Sequence, residues 1–221
     1  HTECLHGLGH AVMFLTENEL PRSLKLCDAL NTEGERELCY TGALMANVDS
    51  AQSQDHPTSY IKADDPMYPC PILDKKYQKM CYTYGVLQAF QSELNKTIDI
   101  CRQVPSEYVI ECFKTMGRDR VYATYDENIM KGECDLIVGS EFREACYVGT
   151  VGSLVVRYGL ESEKPLTYCS ILDSSYRDSC YREFAQRLIN WTSDKGKLLN
   201  ICNKLPKEYI DGCKIVTGIT I

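Results

Sequence analysis

Apolar residues return every three or four positions in short runs along the chain, and each run stops at a breaker. Leu5, Leu8, Val12 and Leu15 form the first such run, a spacing that gathers all four on one side of a helix. Later runs end at or near a cysteine and meet Asn31-Thr32, Val104-Pro105 or Gly139-Ser140, residues that stop one helix and start the next. Thr32 and Glu35 are spaced as a capping box, and Asp74 and Asp173 are predicted N-caps. The pattern predicts an all-α chain of antiparallel helical hairpins joined by short turns.

The cysteines turn that pattern into a repeat. Twelve of the thirteen fall into six pairs, Cys27/Cys39, Cys70/Cys81, Cys101/Cys112, Cys134/Cys146, Cys169/Cys180 and Cys202/Cys213, each 11 or 12 residues apart. Within each pair the first cysteine ends one helix and the second lies about two turns into the next. A disulfide across this span staples the hairpin, and in the chain-entropy model each loop of that size is worth roughly 3 kcal/mol. Tyr40, Tyr82, Tyr147 and Tyr181 each follow the second cysteine directly, which predicts an aromatic packing position beside the bridge.

A longer period lies over the shorter one. The segment from Ile100 to Cys112 matches that from Ile201 to Cys213, Cys70-Pro-Ile-Leu-Asp74 matches Cys169-Ser-Ile-Leu-Asp173, and Cys27-Asp-Ala-Leu30 corresponds to Cys134-Asp-Leu-Ile137. The chain therefore reads as two modules of roughly 100 residues, each of three hairpins of about 33 residues, a length typical of helix–turn–helix arrays. The expected fold is an α-solenoid of about six stapled hairpins. Residues 1–26 form the second half of an incomplete N-terminal hairpin, 27–133 the first module and 134–221 the second. Between Cys39 and Cys70 lie 30 residues, against 22 between Cys146 and Cys169. The excess falls in 49–69, rich in Ser, Gln, Asp and Pro, and predicts an inserted surface loop.

Composition adds compartment and excludes some partners. A 221-residue chain that is 44% hydrophobic does not need cystines merely to build a core. Thirteen cysteines therefore point to an oxidising, secreted setting. Asn95-Lys-Thr97 and Asn190-Trp-Thr192 are N-glycosylation acceptors. A formal charge of −7 without a Lys/Arg cluster argues against nucleic acid as a partner, and no run is long and apolar enough to predict a membrane span. No signal peptide is recognisable, so a mature or trimmed chain is expected.

Cys4 is left without a partner. It precedes Cys27 by 23 residues as Cys112 precedes Cys134 by 22, and Gly9 follows it by five as Gly117 follows Cys112 and Gly218 follows Cys213. Cys4 therefore has the phase of a second cysteine. Its partner thiol lies either on a preceding helix or on another molecule, unless it is free. The apolar tail from Lys214 to Ile221 ends at the phase where the chain begins, which predicts further repeats or head-to-tail self-association.

Three of the four histidines stand within Cys4-Leu-His6-Gly-Leu-Gly-His10 and at His1. His6 and His10, four apart, share a helix face, and Met13 and Glu17 extend it; Cys4 points elsewhere. His6, His10 and Glu17, with His1 or Met13 as a further ligand, form a candidate zinc or copper site. The competing reading is a solvated face, since the corresponding positions one repeat further on, two and six residues after Cys112, are Lys114 and Arg118. Gly7 and Gly9 mark either close helix packing or a local break. In the insertion, His56 with Asp55, Asp64 and Asp65 is either a cation site or an ordinary hydrophilic loop. No Gly-x-Ser-x-Gly elbow, phosphate-binding glycine loop or His-Glu-x-x-His occurs.

The repeat length and the placement of the bridges resemble the secreted cysteine-rich Sel1-like and tetratricopeptide-like α-solenoids. The resemblance covers the whole chain, though the Sel1-like proteins use shorter cysteine spacing. It implies a rigid curved surface that holds another protein or a glycan and has no catalysis of its own. The functional expectation is an extracellular scaffold or structural subunit binding protein partners or itself, the alternative being a metalloprotein or metalloenzyme built on His6 and His10.

Overall fold

The computed structural model describes residues 2–51, 53, 55, 57–88 and 93–219. Among them the regular structure is helical, apart from an isolated antiparallel bridge between Lys62 and Asp65. The helices are α1 (Thr2–Leu15), α2 (Leu20–Cys27), α3 (Glu33–Ser50), α4 (Lys75–Met80), α5 (Val86–Gln88), α6 (Leu94–Gln103), α7 (Val109–Ala123), α8 (Glu127–Asp135), α9 (Ser140–Tyr158), α10 (Lys164–Ile171), α11 (Ser174–Trp191), α12 (Lys195–Cys202) and α13 (Lys207–Val216). A π-turn, Cys81–Gly85, joins α4 to α5.

Helices pair because their ends are written into the sequence and their sulfurs are bonded. All six predicted disulfides are present, with Cα–Cα distances of 5.5 to 5.7 Å. Their sulfur-bearing residues are buried, at most 3% exposed. Cys39, Cys146, Cys180 and Cys213 each fall two turns into their helices α3, α9, α11 and α13. The Thr32–Glu35 capping box closes in both directions. Asp74 and Asp173 do stand at N-cap positions, but their carboxylates accept no capping hydrogen bond. Capping carboxylates are found instead at Asp126, which accepts from the Asn128 N–H, and at Asp194, which accepts from Gly196 and Lys197.

The turns carry a second recurring brace. Arg36 donates to the Leu30 carbonyl at 3.0 Å, Arg143 to Ile137 at 3.0 Å, Arg177 to Leu172 at 2.8 Å and Gln78 to Leu73 at 3.1 Å. Each donor stands three residues before the second cysteine of its hairpin. Carbonyls left over where the first helix ends are thus satisfied from the start of the second.

One hairpin departs from the rule. The expected helix ending at Cys70 is absent: residues 57–69 run through turns, and only a 3-10 turn, Cys70–Ile72, precedes α4. Pro57, Pro66 and Pro69 remove three backbone donors from this stretch, whereas the matching segment of the other copy forms α10. The insertion also begins later than expected, since α3 continues through Ser50. Asn47 on α3 ties the loop down, donating to the Tyr60 carbonyl at 3.1 Å and accepting from the Thr58 hydroxyl at 2.6 Å.

Packing divides the chain into two compact units, residues 1–112 and 113–221. The cysteine repeat restarts at Cys27 and Cys134, so the packing boundary, which falls within α7, lies ahead of the repeat boundary. The reason lies in the glycines. A Cβ on Gly9 would stand 2.1 Å from the Cys39 oxygen and one on Gly42 1.9 Å from the His6 oxygen, so α1 and α3 cross in backbone contact. In the second unit Gly117 approaches the Cys146 oxygen (2.0 Å) and Gly149 the Lys114 oxygen (1.8 Å) in the same way, bringing α7 against α9. Each unit therefore opens on the helix ahead of its first complete cysteine pair. Gly9 marks close packing, and α1 runs through both its glycines without a break.

Candidate functional site

The chemistry of the N-terminal motif is set by the α1–α3 crossing. Leu5, Val12 and Met13 are buried on α1, and His6 and His10 lie on the flank of that face, each half-buried. Their Nε2 atoms are 3.2 Å apart, with ring centroids at 5.0 Å. Thr41 of α3 stands behind them: its hydroxyl donates to the Leu38 carbonyl at 2.7 Å and lies 3.1 Å from His6 Nδ1. With its hydrogen committed to Leu38, that hydroxyl can only accept from the ring. A neutral His6 therefore carries its hydrogen on Nδ1 and turns the Nε2 lone pair toward His10.

The other proposed ligands are placed differently. Met13 is 1% exposed, in the core. Helix α1 ends at Leu15, and Glu17 is exposed in the left-handed region at φ 54°, so the face shared by the imidazoles does not extend to it. His1 lies outside the described residues, as does His56, the centre of the alternative cation site. Asp65 of that site accepts a hydrogen bond from the Met67 N–H at 3.1 Å, and Asp55 and Asp64 are exposed. Among the described residues no group of three or more His, Cys, Asp or Glu side chains converges as a metal cluster.

A polar clamp beside the first bridge of each unit is the main feature that the sequence reading missed. Asp28, next to Cys27, accepts from the hydroxyls of Tyr40 (2.6 Å) and Tyr77 (2.7 Å) and from Lys76 (2.6 Å). Burial alone would raise its carboxyl, but the hydrogen bonds from Lys76, Tyr40 and Tyr77 outweigh burial and hold it below the usual carboxylate range. Burial and the Asp28 hydrogen bond push the Tyr77 phenol up to about 12. In the second unit Asp135 accepts from Tyr147 and, at 2.7 Å, from Lys131, with its carboxyl lowered in the same way against burial. The signal was available as Cys-Asp followed by Cys-Tyr, present at Cys27/Cys39 and Cys134/Cys146 alone. The four tyrosines after second cysteines are all buried, at 0 to 6% exposure.

Outward-facing groups complete the inventory. On α1, Cys4, Leu8, Ala11, Phe14 and Leu15 form an exposed stripe, with Phe14 77% and Leu15 72% exposed. On the second unit Arg157 lies over the rings of Tyr125 (4.5 Å) and Tyr122 (5.2 Å), both exposed. Asn95, in the first turn of α6, and Asn190, in the last turn of α11, are exposed. Under the inserted loop Leu44, Ile61, Tyr68 and Val86 line a cavity of about 30 Å³, room for little more than one water. No helix among the described residues is long and apolar enough to cross a membrane.

No protein-family model matches the chain, and no curated protein or solved structure matches it either. Function has to be argued from its own geometry.

Proposed function

We propose that this protein is an extracellular, non-catalytic helical-repeat scaffold that binds other proteins and further copies of itself, in head-to-tail fashion, through exposed helix faces. The α1 stripe of Cys4, Leu8, Ala11, Phe14 and Leu15 carries this reading. Its apolar positions recur at three- and four-residue intervals, the pattern of a helix that packs on another helix. Cys4, free and exposed, occupies in that stripe the phase at which Cys112 and Cys213 bond a neighbouring helix. The occupant that fits is an amphipathic helix of a second copy, laid with its apolar face on the stripe.

Six buried cystines support an oxidising setting, and the exposed Asn95 and Asn190 are accessible for glycan attachment there. The large exposed tyrosines around Arg157 are the residue types that concentrate binding energy at protein interfaces. Sedimentation of the oxidised protein tests the proposal. Mass should rise with concentration, and Phe14→Ser with Leu15→Ser should hold the chain at its monomer mass. A wild-type chain that stays monomeric at all concentrations, whether its Cys4 thiol is blocked or not, would remove the self-association reading.

A further inference from the structure

We infer that His6 and His10 form a two-imidazole clamp for a divalent transition metal of the zinc, copper or nickel class, oriented by Thr41. The inference is independent of the scaffold reading and uses no residue of the α1 stripe. Two nitrogens each about 2.0–2.1 Å from a tetrahedral zinc are about 3.3 Å apart. His6 Nε2 and His10 Nε2 already stand at 3.2 Å, so metal could replace the proton between them with little movement of either ring.

The outer contact plays the part of the second contact of a metal-binding histidine, with a hydroxyl in place of the usual carboxylate, carbonyl or water. His6 donates from Nδ1 to Thr41, and Thr41 is fixed in turn by Leu38. That arrangement selects the tautomer with a bare Nε2 and fixes the plane of the ring. The close crossing through Gly9 and Gly42 places α3 near enough for the contact to form.

The second unit shows that packing does not require these groups. Gly117 and Gly149 make the same crossing, yet the positions of His6, His10 and Thr41 are held there by Lys114, Arg118 and Val148. All three members of the constellation are present in one copy and all three are absent from the other. A solvated helix flank would account for polar residues at two of these positions. The third member, on the facing helix, is a threonine whose hydroxyl oxygen lies 3.1 Å from one ring nitrogen.

Two protein ligands leave the remaining positions of the metal to water or to a donor on a bound molecule. Titration of the intact, oxidised protein with Zn²⁺ should give one saturable site per chain. His6→Ala and His10→Ala should each abolish it, and Thr41→Val should weaken it by about tenfold. Long-range ¹H–¹⁵N spectra of the wild-type protein supply a readout that needs no variant. Zn²⁺ should shift Nε2 of His6 and of His10, while Nδ1 of His6 stays protonated. Absence of saturable binding, unchanged binding in either histidine variant, or shifts confined to His1 or His56 would overturn the inference.

Discussion

Single atoms decide how closely these helices approach. Gly42 has no room for a methyl group, because the His6 carbonyl oxygen occupies the place of its Cβ. Gly42→Ala should therefore force α1 off α3 and cost about 3 kcal/mol, read as a fall in the denaturation midpoint. Gly34→Ala is the control: open space surrounds that residue near the start of α3, and removing a helical glycine there should be neutral or stabilise by up to about 1 kcal/mol.

Asp28 gives a pH prediction of definite sign. Its folded carboxyl lies below its ordinary value, so it contributes stability above the unfolded value near 3.9 and loses it as pH falls through the folded value. Urea unfolding of Asp28→Asn should depend less steeply on pH than the wild type between about pH 4 and 2, with Asp135 retaining part of the slope.

At the scale of the element, the hairpin is a cystine, a capped or braced turn, and a second helix whose seventh residue or so bears the partner sulfur. Replacing Cys169 and Cys180 together by alanine should cost about 3 kcal/mol, whereas Arg177→Ala, which frees the Leu172 carbonyl, should cost about 1 kcal/mol; chemical denaturation measures both. Most of this element was legible in the sequence. Cysteine spacing, the Thr32 box and the breaker pairs are all local signals, and hairpins are local structures. What stayed hidden depended on contacts between hairpins. The helix expected before Cys70 gave way to a proline-rich loop held by Asn47. Likewise, the approach of Thr41 to His6 joins residues 35 apart, and no periodicity within α1 could have shown it. The face predicted for Glu17 failed for a local reason, because the chain turns left-handed just after α1.

For the whole molecule the informative feature is that every disulfide closes inside its own hairpin and each closed loop contains a lysine or arginine. Tryptic digestion without reduction should therefore release six cross-linked species, each joining peptides from a single hairpin. A species that linked Cys27–Cys39 sulfurs to those of a later hairpin would contradict the fold. The division into two packing units was only partly legible, because the cysteine count marks where the repeat restarts but not which helix lies across it. The glycine pairs at 9/42 and 117/149 settle that.

Local closure also bears on how such a chain matures. Twelve thiols can in principle combine in about ten thousand ways, and a protein whose sulfurs met only at long range would have to sort among them after synthesis. Here each thiol meets its mate 11 or 12 residues away. Oxidation can follow the emerging polypeptide, one ring at a time from the amino end, with each ring complete before the next pair of sulfhydryls arrives.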